Sequence, residues 1–172
     1  GTPDGRLYTV LAGWAYRYKL LDDGRRQVLN FVMPGDLIGL QAATMDEMHH
    51  SVEALTAMRL CVFQRDRLWD FYKSLPSLAY DITWLASRSE IILDETILTL
   101  GRLSATERVA HLLLHLYDRA EGVGLAAEDQ IRLPFTQQLF ADALGLSLVH
   151  TNKTLRRMQS KRLIRWIDGE CE

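Results

Sequence analysis

The chain has 172 residues, 48% of them apolar and 24% charged, with a formal net charge of −2 at pH 7. That apolar share supports one or two folded cores and excludes a wholly disordered chain, while no apolar run reaches membrane-spanning length. Its two cysteines, Cys61 and Cys171, lie far apart, which fits a reducing cytoplasm and argues against a disulfide framework. The opening residues Gly1 to Gly5 are polar and turn-forming, so no secretory leader is expected. The missing initiator methionine points to a processed, tagged or excised fragment.

The first part of the chain reads as β-rich. Leu7 to Leu11 is a short apolar strand; after Gly13, Trp14 to Leu21 carries strand formers. Asp22-Asp23-Gly24 is a hairpin turn and Gln27 to Val32 alternates back as its partner. Pro34-Gly35-Asp36 is a second turn, followed by the short apolar segment Leu37 to Leu40. A polar loop is expected from Thr44 to His50, then strands at Ser51 to Leu55 and Arg59 to Phe63. Many short strands between Gly and Asp turns predict a jelly-roll-like β-roll over residues 1–73.

From Pro76 the period changes. Leu78, Ile82, Leu85, Ser89, Ile92, Thr96 and Thr99 fall at alternating steps of four and three, predicting a long helix over 74–101. Such a stripe either packs on its own β domain or forms a two-stranded dimer seam. The seam is expected, because recognition helices commonly work as symmetric pairs. Gly101 is expected to end the helix and act as a hinge, and Ser104-Ala105-Thr106-Glu107 is a capping box for the next helix, through Val109, Leu112, Leu113 and Leu116 towards Arg119. Glu121-Gly122-Val123-Gly124 closes it, and a short strand is expected at Gln130 to Leu133.

Thr136 to Met158 reads as two short helices around a tight turn. Thr136 is an N-cap, and Leu139, Phe140, Ala143 and Leu144 form one buried face. Gly145 stands where the chain turns, and Ser147 caps a second helix whose inner face is Thr151, Leu155 and Met158. His150, Asn152, Lys153, Arg156 and Arg157 are left to point outward. From Ala143 through Ile167 there are bases at Lys153, Arg156, Arg157, Lys161, Arg162 and Arg165 and no acid, in a chain that is acidic overall. Local basicity of this kind suits phosphate neutralisation. Leu163, Ile164, Trp166 and Ile167 then predict a strand, with Asp168-Gly169 as its turn. The whole predicts an α+β chain ending in a winged helix-turn-helix over 102–172, built to bind double-stranded DNA. No nucleophile–base–acid set, phosphate-cradling glycine loop or spaced metal-ligand set is present, so neither enzymatic activity nor a metal site is expected.

This order of parts resembles the Crp/Fnr family of bacterial transcription regulators. The resemblance covers essentially the whole chain and rests on Gly13, Asp23-Gly24-Arg25, Phe31, Pro34 to Gly39, Ser51 to Thr56 and the helix-turn-helix. It implies a cytoplasmic homodimer that senses a signal in the β-roll and passes it through the long helix to the DNA-binding domain. The implied partners are double-stranded DNA, a second copy, an unidentified small-molecule effector and RNA polymerase, with no membrane. In the family a helix and further strands precede the segment matching Leu7 to Leu11. Here that material is missing, so either the chain is a fragment or its roll is completed by other packing or a partner.

The resemblance also implies site residues. Cyclic-AMP-binding members hold the ribose through the Glu of a Gly-Glu pair and the phosphate through an Arg-Ser pair; here those places are Gly39-Leu40 and His50-Ser51. Leu40 cannot accept a ribose hydrogen bond and a neutral His50 is a poor phosphate partner, so no tight cyclic AMP binding is expected. Cys61 falls where oxygen-sensing members have an internal cluster ligand, but one thiolate cannot hold a cluster that needs four, and no cofactor is expected. The loop Met45 to His50, with His49 and His50, is expected to be solvated rather than a metal or haem site.

In well-known members the recognition helix opens with Arg-Glu and adds an Arg one turn later. Here Leu148-Val149 and Lys153 stand in those places. Leu148 and Val149 suit thymine methyl groups, and His150, Asn152 and Lys153 are the expected polar base readers. Gln137, Arg156 and Arg157 are expected to hold phosphates. The alternative is a ligand-sensing or protein-interaction module that has lost sequence-specific DNA binding, and the acid-free basic stretch argues against it.

Overall fold

The computed structural model describes residues 6–45, 47–167 and 170–171. The fold is α+β. Its elements form two compact units: one comprises the chain through Lys19 with Asn30–Asp94, the other Leu20–Leu29 with Glu95 onward.

In the first unit, β1 (Arg6–Ala12), β4 (Leu37–Ile38) and β6 (Arg59–Gln64) form a sheet in the order β4-β1-β6. A second sheet has the order β3-β2-β5, from β2 (Ala15–Leu20), β3 (Arg26–Val32) and β5 (Ser51–Ala54). Alternation along these strands turns Val10, Ala15, Val32 and Ile38 inward, with Tyr8, Val52, Met58 and Leu60 packed around them. The Pro34-Gly35-Asp36 turn is tied down twice: Asp36 Oδ2 accepts from Met33 N at 2.9 Å, and its carbonyl accepts from Val10 N at 3.0 Å.

Two helices here were not expected. Leu40–Met45 is helix α1 rather than the start of a polar loop, because Ala42 is buried and the Thr44 hydroxyl returns to the Leu40 carbonyl at 2.9 Å. After a 3₁₀ turn at Arg65–Arg67, α2 (Leu68–Ser74) is anchored by buried Leu68 and by Phe71 set edge-on to Phe63, with ring centroids 5.8 Å apart. The long helix α3 runs Pro76–Arg102, opening on a proline that suits a first helical position. Gly101 lies inside α3 instead of ending it, since the ladder continues to Leu103 N donating to Thr99 O at 3.2 Å.

In the second unit, α4 (Ala105–Glu121) starts on the predicted capping box: Ser104 N donates to Glu107 Oε2 at 2.8 Å and Glu107 N to Ser104 Oγ at 3.5 Å. Helices α5 (Gln137–Leu144) and α6 (Leu148–Ser160) follow a hairpin of β7 (Ala126–Ala127), which was not expected, and β8 (Gln130–Arg132). Val109, Leu113, Leu116, Leu139, Phe140, Leu144, Leu155 and Met158 form the core. Phe140 stacks on Phe135 and meets Trp166 edge-on, at centroid distances of 6.2 and 5.4 Å. The wing strands are shorter than expected: β9 is Trp166–Ile167 alone, pairing with β10 (Glu170–Cys171). Arg162 takes a left-handed φ of 57° and Leu163 N bonds back to Met158 O at 3.0 Å, so the chain leaves α6 through a turn that uses up the start of the predicted strand. The Asp168-Gly169 turn lies outside the described residues. Among the described residues no helix is long and apolar enough to cross a membrane.

Candidate nucleic-acid interface

Local chemistry sets the two interface helices. Thr136 caps α5 by accepting from Leu139 N at 3.2 Å, and Ser147 caps α6 by accepting from His150 N at 3.2 Å. Between them Gly145 holds φ at 61°, a left-handed conformation that a Cβ would strain, and turns the chain sharply between the helices. Thr151, Thr154, Leu155 and Met158 bury one face of α6.

The opposite face is open. Leu148, Val149, His150, Lys153, Arg156 and Arg157 are exposed there, Val149 at 79%, and Gln137 is exposed on the first turn of α5. Val149, Lys153 and Arg156 fall at steps of four and three and so share one line along the helix. Two of the sequence-predicted residues sit differently. Asn152 is half-buried, and its Oδ1 is enclosed without a hydrogen-bond partner, so it does not stand on the open face. Arg157 Nη2 donates to Thr106 Oγ1 on the first turn of α4, which holds its guanidinium to the protein.

Lys153→Ala is expected to cost about 1–3 kcal/mol of binding to a preferred site while leaving random-sequence binding nearly unchanged. Arg156→Ala, at the exposed base expected on phosphate, should weaken both about equally. Binding titrations on the two DNAs measure this, and equal losses at Lys153 would reassign it to phosphate contact.

On the long helix, the residues expected in a dimer seam lie on the covered side: Ile92 is buried, and Leu78, Ile82, Leu85, Ser89 and Thr96 are partly buried within the single chain. The open apolar side chains are instead Tyr80, Trp84, Ile91, Leu93, Ile97 and Leu98. Tyr80, Trp84, Ile91 and Leu98 also fit a three–four repeat, on a different line.

The β-roll residues matching the effector site are spread over three pieces. Gly39 holds φ at 96°, and a Cβ there would lie 2.5 Å from the Arg6 carbonyl, so the turn into α1 admits only glycine. Leu40 opens α1, and exposed Ser51 opens β5 opposite Tyr18. His50 is half-buried, and burial lowers its pKa to about 4, helped by the positive charges of Arg17 and Lys19 and by His49. Sequence spacing gave no sign of Arg17, which reaches the Leu37 carbonyl from β2.

His50 is therefore neutral at pH 7, and with Leu40 it offers neither cation nor carboxylate to a cyclic nucleotide. Because its folded pKa is depressed, its contribution to stability is complete above its ordinary value near 6.5 and is lost as the pH falls from there towards 4. His50→Gln should flatten the melting temperature across that window; an unchanged pH profile would remove this role. Cys61 is half-buried in β6, opposite Thr9 of β1, and the backbone N–H of exposed His49 donates to Gln41 Oε1 at 3.2 Å. Among the described residues, no three His, Cys, Asp or Glu side chains are grouped to hold a metal ion.

Residues 1–74 match the family model of the cyclic nucleotide-binding domain, and residues 107–171 that of the Crp-like helix-turn-helix domain. The chain is 34% identical over 163 residues to the nitrogen fixation regulation protein FixK of Bradyrhizobium diazoefficiens, covering 95% of this chain and 68% of that protein. It is 32% identical over 161 residues to the transcriptional activatory protein AadR of Rhodopseudomonas palustris, covering 92% of this chain and 65% of that protein. The chain thus spans about two thirds of the length of these relatives. The solved structure of FixK2 from Bradyrhizobium japonicum superposes with a TM-score of 0.82 at 27% identity, covering 97% of this chain and 81% of that one. The described β strands, long helix and capped helix-turn-helix agree with these matches, and the chain belongs to the Crp/Fnr family of transcription regulators.

Proposed function

We propose that this regulator works in the cytoplasm as a homodimer, its two copies of α6 reading a two-fold symmetric operator through Leu148, Val149, His150 and Lys153. The observation that carries this is the open face of α6, where Leu148 and Val149 at its start are followed by the bases Lys153, Arg156 and Arg157 and no acid intrudes. Gln137 and Arg156 hold phosphates and set the register, while Val149 and Leu148 favour thymine methyl groups. The operator therefore differs in sequence from those read by regulators whose recognition helix opens with Arg-Glu.

The division of labour follows the chain: residues 1–73 sense, 74–101 dimerise and 102–172 bind DNA. The sensing part does not respond to cyclic AMP, since Leu40 and neutral His50 replace both groups that would hold it. No catalytic step enters this function. RNA polymerase and an effector of another chemistry are the remaining partners.

Selection of preferred sequences from random DNA by the purified protein should return an inverted repeat. A single half-site would overturn the dimeric reading, and no enrichment at all would favour a module that no longer reads DNA. Titration calorimetry with cyclic AMP should show no heat at micromolar concentrations, and a micromolar affinity would refute that part.

A further inference from the structure

The tip of the β2–β3 hairpin, Leu20–Leu29, belongs to the same compact unit as the helix-turn-helix. It makes two attachments to α5. Arg26 Nε and Nη2 both donate to Asp142 Oδ2 at 3.0 Å, and Gln138 Nε2 holds the other oxygen of that carboxylate at 2.7 Å. The ion pair is shielded, its side chains 27% and 14% exposed. Beside it, Gln27 Nε2 donates to the Ala143 carbonyl at 3.4 Å as well as to Val28 O at 2.9 Å. From α4, Arg108 Nη1 donates to the Leu144 carbonyl at 3.2 Å.

The Ala143 and Leu144 carbonyls lie in the last turn of α5, where helical geometry leaves no regular intrahelical donor. A helix of only eight residues has little stability of its own, so outside donors decide how firmly that end is held. The next residue is Gly145, the pivot of the helix-turn-helix. A Cβ placed there would meet the Leu100 side chain at 3.4 Å, Arg108 Nη1 at 3.8 Å and Gln27 Oε1 at 3.9 Å. The pivot is therefore surrounded by the groups that hold the helix end.

We propose that Arg26 and Gln27 are positioning residues for DNA reading: the hairpin tip clasps the last turn of α5 and so fixes the turn that aims α6. The clasp lies away from the reading face, since Gln137, Val149 and Lys153 remain exposed. It does not compete with DNA for these residues. It removes orientational freedom that α6 would otherwise lose on binding, and a symmetric operator demands that loss from both copies at once. The proposal rests on α6 being the reading helix.

The test uses the full chain, with binding measured on a selected operator and on random DNA of equal length. Arg26→Ala should weaken operator binding about 10-fold and random binding less than about 2-fold, within the usual range of coupling between sites. Asp142→Asn should do the same, and the charge-swapped double variant Arg26→Asp with Asp142→Arg should recover most of the loss. Should Asp142→Asn unfold the unit, Gln27→Ala leaves the ion pair intact and should still raise amide exchange across Ala143 to Ser147. Failure of the clasp is distinct from failure of the DNA reading. If Lys153→Ala lowers operator binding but Arg26→Ala changes neither operator binding nor amide exchange, the clasp is overturned and the reading stands. If the wild type does not discriminate the two DNAs, the reading falls, and unchanged exchange at Ala143 to Ser147 in Arg26→Ala would then overturn the clasp as well.

Discussion

Ile91→Glu is expected to split the dimer without unfolding the protomer. Ile91 is 62% exposed on α3, between Trp84 and Leu98 on the open apolar line. A carboxylate there meets only water in the single chain, but in a paired helix it would face a second copy of itself across an apolar seam. Burying two like charges without partners outweighs what one seam layer contributes. Sedimentation should show a monomer with unchanged helix content. Operator affinity should fall on the order of 100-fold or more, because a single recognition helix keeps only one half-site. The control is its neighbour: Ile92 is 9% exposed, so Ile92→Glu buries its charge inside the protomer and should lower the melting temperature instead. If Ile91→Glu remains a dimer, the seam lies elsewhere.

Phe140→Ala should act on the fold of the DNA-binding part. The ring is fully buried, stacked on Phe135 and edge-on to Trp166, and so joins α5 to the strand that follows α6. Removing it leaves a cavity between three elements, with a loss of about 3–5 kcal/mol. For a unit of this size that corresponds to a fall of more than about 10 °C in melting temperature. Calorimetry on the full chain reads this directly. A fall of only a degree or two would mean that the neighbouring rings close over the gap.

What was legible in the sequence was local. Thr136, Gly145 and Ser147 mark the ends of α5 and α6 because capping and left-handed turns are decided by a few adjacent residues, and Ser104 with Glu107 marks α4 in the same way. Short helices escaped notice. Leu40–Met45 and Leu68–Ser74 span about two turns or fewer, too little for a helical period to stand out from a neighbouring apolar strand.

The stripe on α3 is ambiguous for a different reason. That helix is apolar on more than one line, so periodicity yields both Leu78, Ile82, Leu85 and Tyr80, Trp84, Ile91, and only burial tells which line the protomer covers. Asn152 looked like a base reader because helical spacing alone cannot show that its oxygen is enclosed. Arg26 and Asp142 stand 116 residues apart in the chain, and no spacing rule connects them.

The membership of the hairpin tip also bears on how the gene could be cut. Residues 102–172 look like a cassette that could be spliced onto another sensor. Such a transplant would leave behind Arg26 and Gln27, so that Asp142 keeps only Gln138 and the last turn of α5 keeps Arg108 but loses the donor to Ala143. If the clasp positions α6 as proposed, a working fusion carries the hairpin that lies some eighty residues upstream, or replaces those donors by design. Recombination within such a chain would then be constrained by a segment outside the one proposed to touch DNA.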